Sequence, residues 1–370
     1  MKFSCDKAAL SETINNVILA VASKSTMLSL EGILMKCEGA VLTLTGYNLE
    51  LGIIKSIPVK GEEDGEIVLN ASLLSNIVNK MPAGEISFSS DQRLLTIIRC
   101  NDAEFTILGL SAEDYPEIPV INNEKELTLP QDVFRNMIGQ TLFAVAQTEQ
   151  TPIYTGSLFD VEPGLLSVVS VDGYRLAMRK EAIENQDTYQ FVVPGKTLNE
   201  VQKLLAKFNG EQENQVSLRV SNKHIIFEVG GYSVISRLLE GEFLDYRNAI
   251  PKESKTKVTA NTREFLGSIN RASIIINDRA KSPIRCEFSG GVVRLNCETT
   301  LGKVQDSFQA EMEGADVKIG FNNKYMSDAL KASECDEVLI EMNGPLSPMK
   351  VLPLEGDSFL FLVLPVRLKD

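Results

Sequence analysis

The chain has 370 residues, more than one ordinary hydrophobic core organises, so length sets an expectation of two or three domains. It is 44% hydrophobic and 24% charged, the balance of a globular protein, and no apolar run approaches the roughly 20 residues that span a bilayer. A net charge of −13 opposes nucleic-acid binding by the chain as a whole, so such a role needs cations concentrated locally.

The opening stretch "MKFSCDKAAL" lacks the apolar centre of a signal peptide, which sets a cytoplasmic expectation. Next comes a repeated pattern. Short strands lead into helical patterns at "KFSCDKAALSETINNVILAVA" from Lys2, "ELTLPQDVFRNMIGQTLFAVA" from Glu126 and "KVTANTREFLGSINRASIII" from Lys257. A second strand–helix family starts at Glu66 ("EIVLNASLLSNIVNK"), Gln190 ("QFVVPGKTLNEVQKLLAKF") and Asp316 ("DVKIGFNNKYMSDALKA"). The starts differ by 124 and 131 residues in the first family and by 124 and 126 in the second, so the unit is about a third of the chain.

Between the helices, "AVLTLTGYNLELGI", "LLSVVSVDGYRLAMRK" and "VVRLNCETTLGKVQ" alternate with the period of two expected of half-buried strands. The Gly-containing turn of "VDGYRL" has a sister in "TGYNLEL", where Asn48 is read as the counterpart of Arg175. The third copy lacks the Gly-Tyr pair. "EFTILGLSAEDYPEIP" and "SVISRLLEGEFLDYRNAIP" close the first two units alike, and Pro119 and Pro251 mark the linkers after them. The expected fold class is α+β: three tandem domains, each with two helices packed on antiparallel sheets, over 1–122, 123–252 and 253–370.

A helix advances about 100° per residue, which places charges by arithmetic. Leu198, Val201, Leu204, Leu205 and Phe208 fall on one arc, with Lys196, Lys203 and Lys207 opposite. Phe265, Leu266, Ile269 and Ala272 oppose Arg263 and Arg271, while Met326, Ala329 and Leu330 oppose Lys324 and Lys331. The outward helix faces of the second and third units therefore lean basic in an acidic protein. A solvated face accounts for any one of them, whereas recurrence points to a shared surface for a polyanion. Trp is absent, and neither an aromatic-basic stacking pattern nor an Arg- and Asn-dense recognition helix occurs. Phosphate contact without base readout is what such faces offer.

Enzymatic chemistry finds little support. The cysteines Cys5, Cys37, Cys100, Cys286, Cys297 and Cys335 form no CxxC pair, and His224 is the single histidine, so neither a metal nor another cofactor is expected. No HExxH, GxSxG or Walker-type motif organises the acidic residues. A hydrolase or transferase built on an acidic cluster such as "EGEFLDY" and a sequence-specific DNA regulator are the alternatives; the first lacks a nucleophile–base pair and the second a base-reading element.

The three-unit order, "VDGYRLA", "GFNNKYMSDAL" and the closing "VLPVRL" together resemble the bacterial DNA polymerase III beta subunit family, the sliding clamps, over essentially the whole chain. The resemblance implies a head-to-tail dimeric ring, helices lining the hole, that encircles double-stranded DNA without sequence preference. Twelve helices at roughly 9 Å spacing make an axis circle about 34 Å wide, leaving a hole on the order of 24 Å, enough for a duplex. The implied role is a processivity factor, not an enzyme. Its implied partners are the replicative polymerase, a clamp loader, other proteins with clamp-binding motifs and a second copy of the chain, with no membrane.

The resemblance also implies sites. A pocket for partner peptides would use Val171, Gly173, Tyr174, Arg175, Leu176, Leu244, Asn248 and Ala249. From the third domain it would add Asn322, Tyr325, Leu346, Pro348 and the tail Leu362, Val363, Leu364, Pro365, Val366, Arg367 and Leu368. Apolar walls with a few orienting polar groups, here the guanidinium groups of Arg175 and Arg367, suit a peptide anchor. Tyr174 stands where many members carry His, Leu244 and Asn248 where others have Pro and Arg, and Ala280 at a site often aromatic. Lys369 and Asp370 extend beyond the usual Arg-Leu end. The DNA-facing set is Lys24, Lys80, Arg135, Lys196, Lys203, Lys207, Arg263, Arg271, Lys324 and Lys331. Dimer closure is expected from Phe105 and Ile107 on an end strand and from Ile274 and Ile275 just past a helix.

Overall fold

The computed structural model describes residues 1–119, 121, 125–148, 150–207, 215–276 and 282–368. Phe208, Ala280, Lys369 and Asp370 lie outside the described residues. The chain forms two compact units, one of residues 1–132 and 199–238, the other of 133–198 and 239–370.

Seven α-helices occur among the described residues: α1 (Lys7–Val17), α2 (Ala71–Lys80), α3 (Gln131–Thr141), α4 (Gly195–Lys207), α5 (Tyr246–Ala249), α6 (Thr262–Ser273) and α7 (Asn323–Ser333). Four of them start by one device. A strand ends in, or is followed directly by, Asp or Asn, whose side chain accepts an orphan N–H of the first helical turn. Asp6 accepts from Ala9 at 2.9 Å, Asn70 from Leu73 at 3.0 Å, Asn261 from Glu264 at 3.0 Å, and Asn322 from Lys324 and Tyr325 at 2.9 and 3.3 Å. The strand–helix repeat visible in the sequence is thus built by backbone capping chemistry.

In the first unit, the strands Lys60–Glu63, Lys2–Asp6, Glu85–Ser90, Leu95–Cys100 and Ala103–Leu108 make one antiparallel sheet in that order. Lys60–Glu63 and Ala103–Leu108 are its two edges. An eight-stranded sheet pairs Leu51–Pro58 with Tyr232–Arg237, register Leu51 opposite Ser236. The helices α1 and α2 lie side by side, Asn15 donating to Asn79 at 3.2 Å.

The second unit has a nine-stranded sheet in which Arg175–Ala182 pairs antiparallel with Phe359–Val363, register Arg175 opposite Val363. A four-stranded sheet runs Gly302–Gln309, Val292–Thr299, Ile284–Ser289, Val317–Phe321, leaving the first and last as edges. The helices α6 and α7 pack on a core that contains Phe265, Ile269, Phe288, Phe321, Met326, Leu330 and Phe361. Asn323 on α7 donates to Ser273 on α6 at 2.9 Å.

The two junction hairpins correct the expected repeat equivalence. Asp172 Oδ1 accepts the N–H groups of Tyr174 and Arg175 at 2.9 and 3.1 Å, and Asn48 Oδ1 accepts those of Glu50 and Leu51 at 3.1 and 2.8 Å. Asn48 is therefore the counterpart of Asp172, not of Arg175, whose place Leu51 takes. Gly46 sits inside the strand Val41–Tyr47, and the left-handed turn position falls to Leu49 at φ 75°, matching Gly173 at φ 87°. Side-chain capping of a tight turn, rather than the glycine, is the shared feature.

Candidate functional site

The hairpin of Leu165–Val171 and Arg175–Ala182 carries Tyr174 at its tip, 62% exposed. Its ring stacks on Tyr325 of α7, centroids 6.0 Å apart and planes 22° from parallel. Beneath the stack Arg175 is only 7% exposed. Its Nε donates to Asp172 at 2.9 Å and its Nη1 to Asp328 at 2.6 Å, while the guanidinium lies 4.6 Å from the Tyr325 ring centroid and 5.3 Å from that of Phe143. Such an arrangement satisfies a buried cation on its edges and uses its face for stacking. Arg175 is accordingly held under the surface as a pin between the hairpin and α7. Burial is the first cause raising the Tyr325 hydroxyl above its ordinary pKa, with Asp172 next.

The tail joins this surface through its backbone. The Leu364 N–H donates to the Tyr174 carbonyl at 2.9 Å, and the Val366 N–H to the Gly320 carbonyl at 2.8 Å. Leu364, Val366 and Arg367 are exposed, and Pro365 and Leu368 half-buried. Val171, Leu176, Leu362 and Val363 are buried, so they are floor and core rather than open walls. Leu176 and Leu362 belong to a cluster with Tyr246, against which Tyr154 and Phe243 pack. Those two rings meet edge to face at 5.5 Å. Leu244, Asn248 and Ala249 are exposed around α5, and Asn248 donates to Asp245 at 2.6 Å. Leu346 and Leu368 line a separate cavity of about 830 Å³ together with Arg285, Cys286 and Lys318. Pro348 is half-buried, and Asn322 caps α7.

Sequence reasoning missed Asp328, Phe143, Tyr154 and Phe243. Asp328 carried a signal, because it stands three residues after Tyr325 and so shares its helix face. The aromatic residues gave none: their partners are distant in sequence.

The cations divide by their partners. Lys24, Lys80, Lys196, Lys203, Lys207, Arg263, Arg271, Lys324 and Lys331 are exposed, and Arg135 is half-buried. Lys203 pairs with Glu200 at 2.8 Å, Lys207 donates to Asn16, and Arg271 pairs with Asp306 at 2.5 Å. The Arg271 hydrogen bond is the first cause holding the Asp306 carboxyl below its ordinary range. On the same helices Leu198, Val201, Leu204, Phe265, Ile269, Met326 and Leu330 are buried. Among the described residues no group of three or more His, Cys, Asp or Glu could hold a metal ion, and no helix is long and apolar enough to cross a membrane.

Apolar side chains remain uncovered at the edge Ala103–Leu108, where Phe105 and Leu108 are exposed and Ile107 half-buried. Ile274, directly after α6, is 80% exposed. Its neighbour Ile275 instead packs against the unit's own core.

Comparison with known proteins matches the whole chain. Family profiles for the N-terminal, central and C-terminal domains of the DNA polymerase III beta subunit match residues 1–119, 128–245 and 247–367. The beta sliding clamp of Halalkalibacterium halodurans is 34% identical over 99% of this chain and 100% of its own length, and that of Bacillus subtilis 33% over the same shares. Among solved structures, the DNA polymerase sliding clamp from Bacillus subtilis matches with TM-score 0.96 at 33% identity, and a putative DNA polymerase III beta subunit from Eubacterium rectale with TM-score 0.95 at 35% identity. Both alignments cover 100% of each chain.

Proposed function

This chain belongs to the DNA polymerase III beta subunit family, the beta sliding clamps, and on that premise we propose how its residues divide the work of a non-catalytic processivity factor. Two copies close head to tail into a ring around duplex DNA in the cytoplasm, and the ring tethers the replicative polymerase after a clamp loader has placed it. The three domains are assigned to 1–122, 123–252 and 253–370.

The observation that carries the DNA assignment is the split of the helices into buried apolar arcs and exposed cations, in a protein whose net charge is −13. Lys24, Lys80, Lys196, Arg263, Lys324 and Lys331 face the duplex. Arg271 and Lys203 contribute less, because carboxylates already balance them. Few phosphates are held at once, so the ring slides, and topology rather than affinity retains it. Loaded protein should stay on closed circular DNA and leave when the circle is cut; equal retention on linear DNA, or preference for one sequence, would overturn the assignment.

Ring closure uses two of the edge strands. Ala103–Leu108 of one copy pairs with Gly302–Gln309 of the next, and Phe105, Ile107 and Leu108 cover Ile274. An open edge with exposed apolar side chains is a template for a further strand.

Partner peptides dock on the surface of Tyr174, Tyr325, Leu364, Pro365, Val366 and Arg367, with Leu244, Asn248 and Ala249 beside it and Leu176 and Leu362 as its floor. Deleting the chain from Val366 onward removes one wall and should abolish stimulation of the polymerase while the ring still forms. Unchanged affinity of the truncated protein for the polymerase's clamp-binding peptide would place the pocket elsewhere.

A further inference from the structure

The tail reaches the fold at two backbone points, Tyr174 and Gly320. Gly320 lies on Val317–Phe321, an edge of the four-stranded sheet, with Arg285 its partner on the inner side. Its outer side is where the tail arrives. A Cβ built at position 320 falls 2.8 Å from the Val366 carbonyl oxygen and 2.6 Å from Leu368 Cδ2. The leucine methyl could turn aside, but the carbonyl oxygen is backbone and moves only if the tail moves. Position 320 is not among the left-handed glycines, so backbone conformation does not demand glycine there. Close approach of a second backbone does.

We infer that Gly320 is a positioning residue for partner binding: its missing side chain is the seat of the C-terminal tail. It touches no partner. It holds Val366 and Arg367 where they form one wall of the peptide surface, with Leu368 turned to the separate cavity beside Leu346, and the inference rests on the reading of the tail as that wall. A short segment with few contacts sits at the low end of local stability, so one lost backbone bond and one steric clash suffice to release it.

The test compares Gly320→Ala, a truncation ending at Pro365, and the two combined, each as the full dimer otherwise. The probe is a labelled peptide carrying the clamp-binding motif of the host polymerase, and a second readout is amide exchange over 364–368. Gly320→Ala should weaken the peptide at least about fivefold, the equivalent of one lost hydrogen bond. Exchange at Val366 should rise, and the combined protein should bind no more weakly than the truncation alone.

If truncation weakens binding while Gly320→Ala leaves both affinity and exchange unchanged, the seat is refuted and the wall stands. If truncation itself has no effect, the wall reading falls first. Additive losses would show that Gly320 acts elsewhere. Should Gly320→Ala not fold, Val366→Pro removes the N–H that Gly320 accepts and leaves position 320 intact. It is read against Val366→Ala, which keeps the N–H, and equal affinity of the two refutes the seat.

Discussion

Arg175 and Asp328 stand 153 positions apart in sequence and meet at 2.6 Å, the carboxylate of α7 closing on a guanidinium that the hairpin has buried. The pair ties the hairpin tip to the helix that carries Tyr325. Removing Asp328 leaves the cation with Asp172 alone, so Asp328→Ala should cost about 1–3 kcal/mol. Asp328→Asn retains an acceptor and should cost less. Urea unfolding of both proteins decides, and equal midpoints for Asp328→Ala and the parent protein would remove the pin.

Tyr174 makes the opposite case. It is exposed, and its stack on Tyr325 contributes on the order of 1 kcal/mol. Tyr174→Ala should therefore lower the unfolding midpoint only by the small shift that a loss of about 1 kcal/mol gives, yet sharply weaken the polymerase peptide, whereas Tyr174→His should retain most of the affinity. Fluorescence anisotropy with the labelled peptide measures both.

The two isoleucines after α6 should behave differently. Ile274 is uncovered within one chain, so Ile274→Ala should weaken the dimer while changing monomer stability by less than about 0.5 kcal/mol. Ile275 packs on the core, and Ile275→Ala should lower monomer stability by up to about 2 kcal/mol. Sedimentation at nanomolar concentration, paired with denaturant titration, separates the effects; a fully dimeric Ile274→Ala protein would contradict the proposed closure.

Salt dependence distinguishes the cations. Each of Lys196, Arg263, Lys324 and Lys331 changed to Ala should lower the slope of log affinity against log salt by about 1 if it holds a phosphate. Arg271→Ala should change the slope less, because Asp306 already balances that charge. Titrations of duplex DNA across a salt series give the slopes directly, and a uniform response would argue against the division.

His224 supplies a pH dependence. Burial first, then Arg237 and Lys223, hold its pKa below the ordinary value, so the fold disfavours the imidazolium. The unfolded chain takes up the proton more readily. Stability is fully present above about pH 6.5 and declines as pH falls through the lowered folded value. His224→Gln should flatten urea midpoints between pH 8 and 5.5; an unaltered slope in that variant would assign the effect to other groups.

Local periodicity was legible in the sequence, whereas the caps were recognised only in the structure although they too are local. Asn and Asp at strand ends start four helices because their side chains satisfy orphan N–H groups two or three residues on, within reach of the sequence itself. The apolar arcs of α6 and α7 were legible because Phe265 and Ile269, or Met326 and Leu330, are one turn apart. What such an arc packs against is a matter of distance through space. Sequence placed Arg175 at a pocket wall and paired it with Asn48 across the repeats. Tertiary structure buried it under Tyr325 between two carboxylates and gave Asn48 the capping role of Asp172. Ile274 and Ile275 are adjacent and chemically identical, and only the packing of α6 on its sheets decided which one the core claims. A residue's period fixes the direction in which it points; the partner it finds there depends on how distant strands pair, and the chain order does not encode that locally.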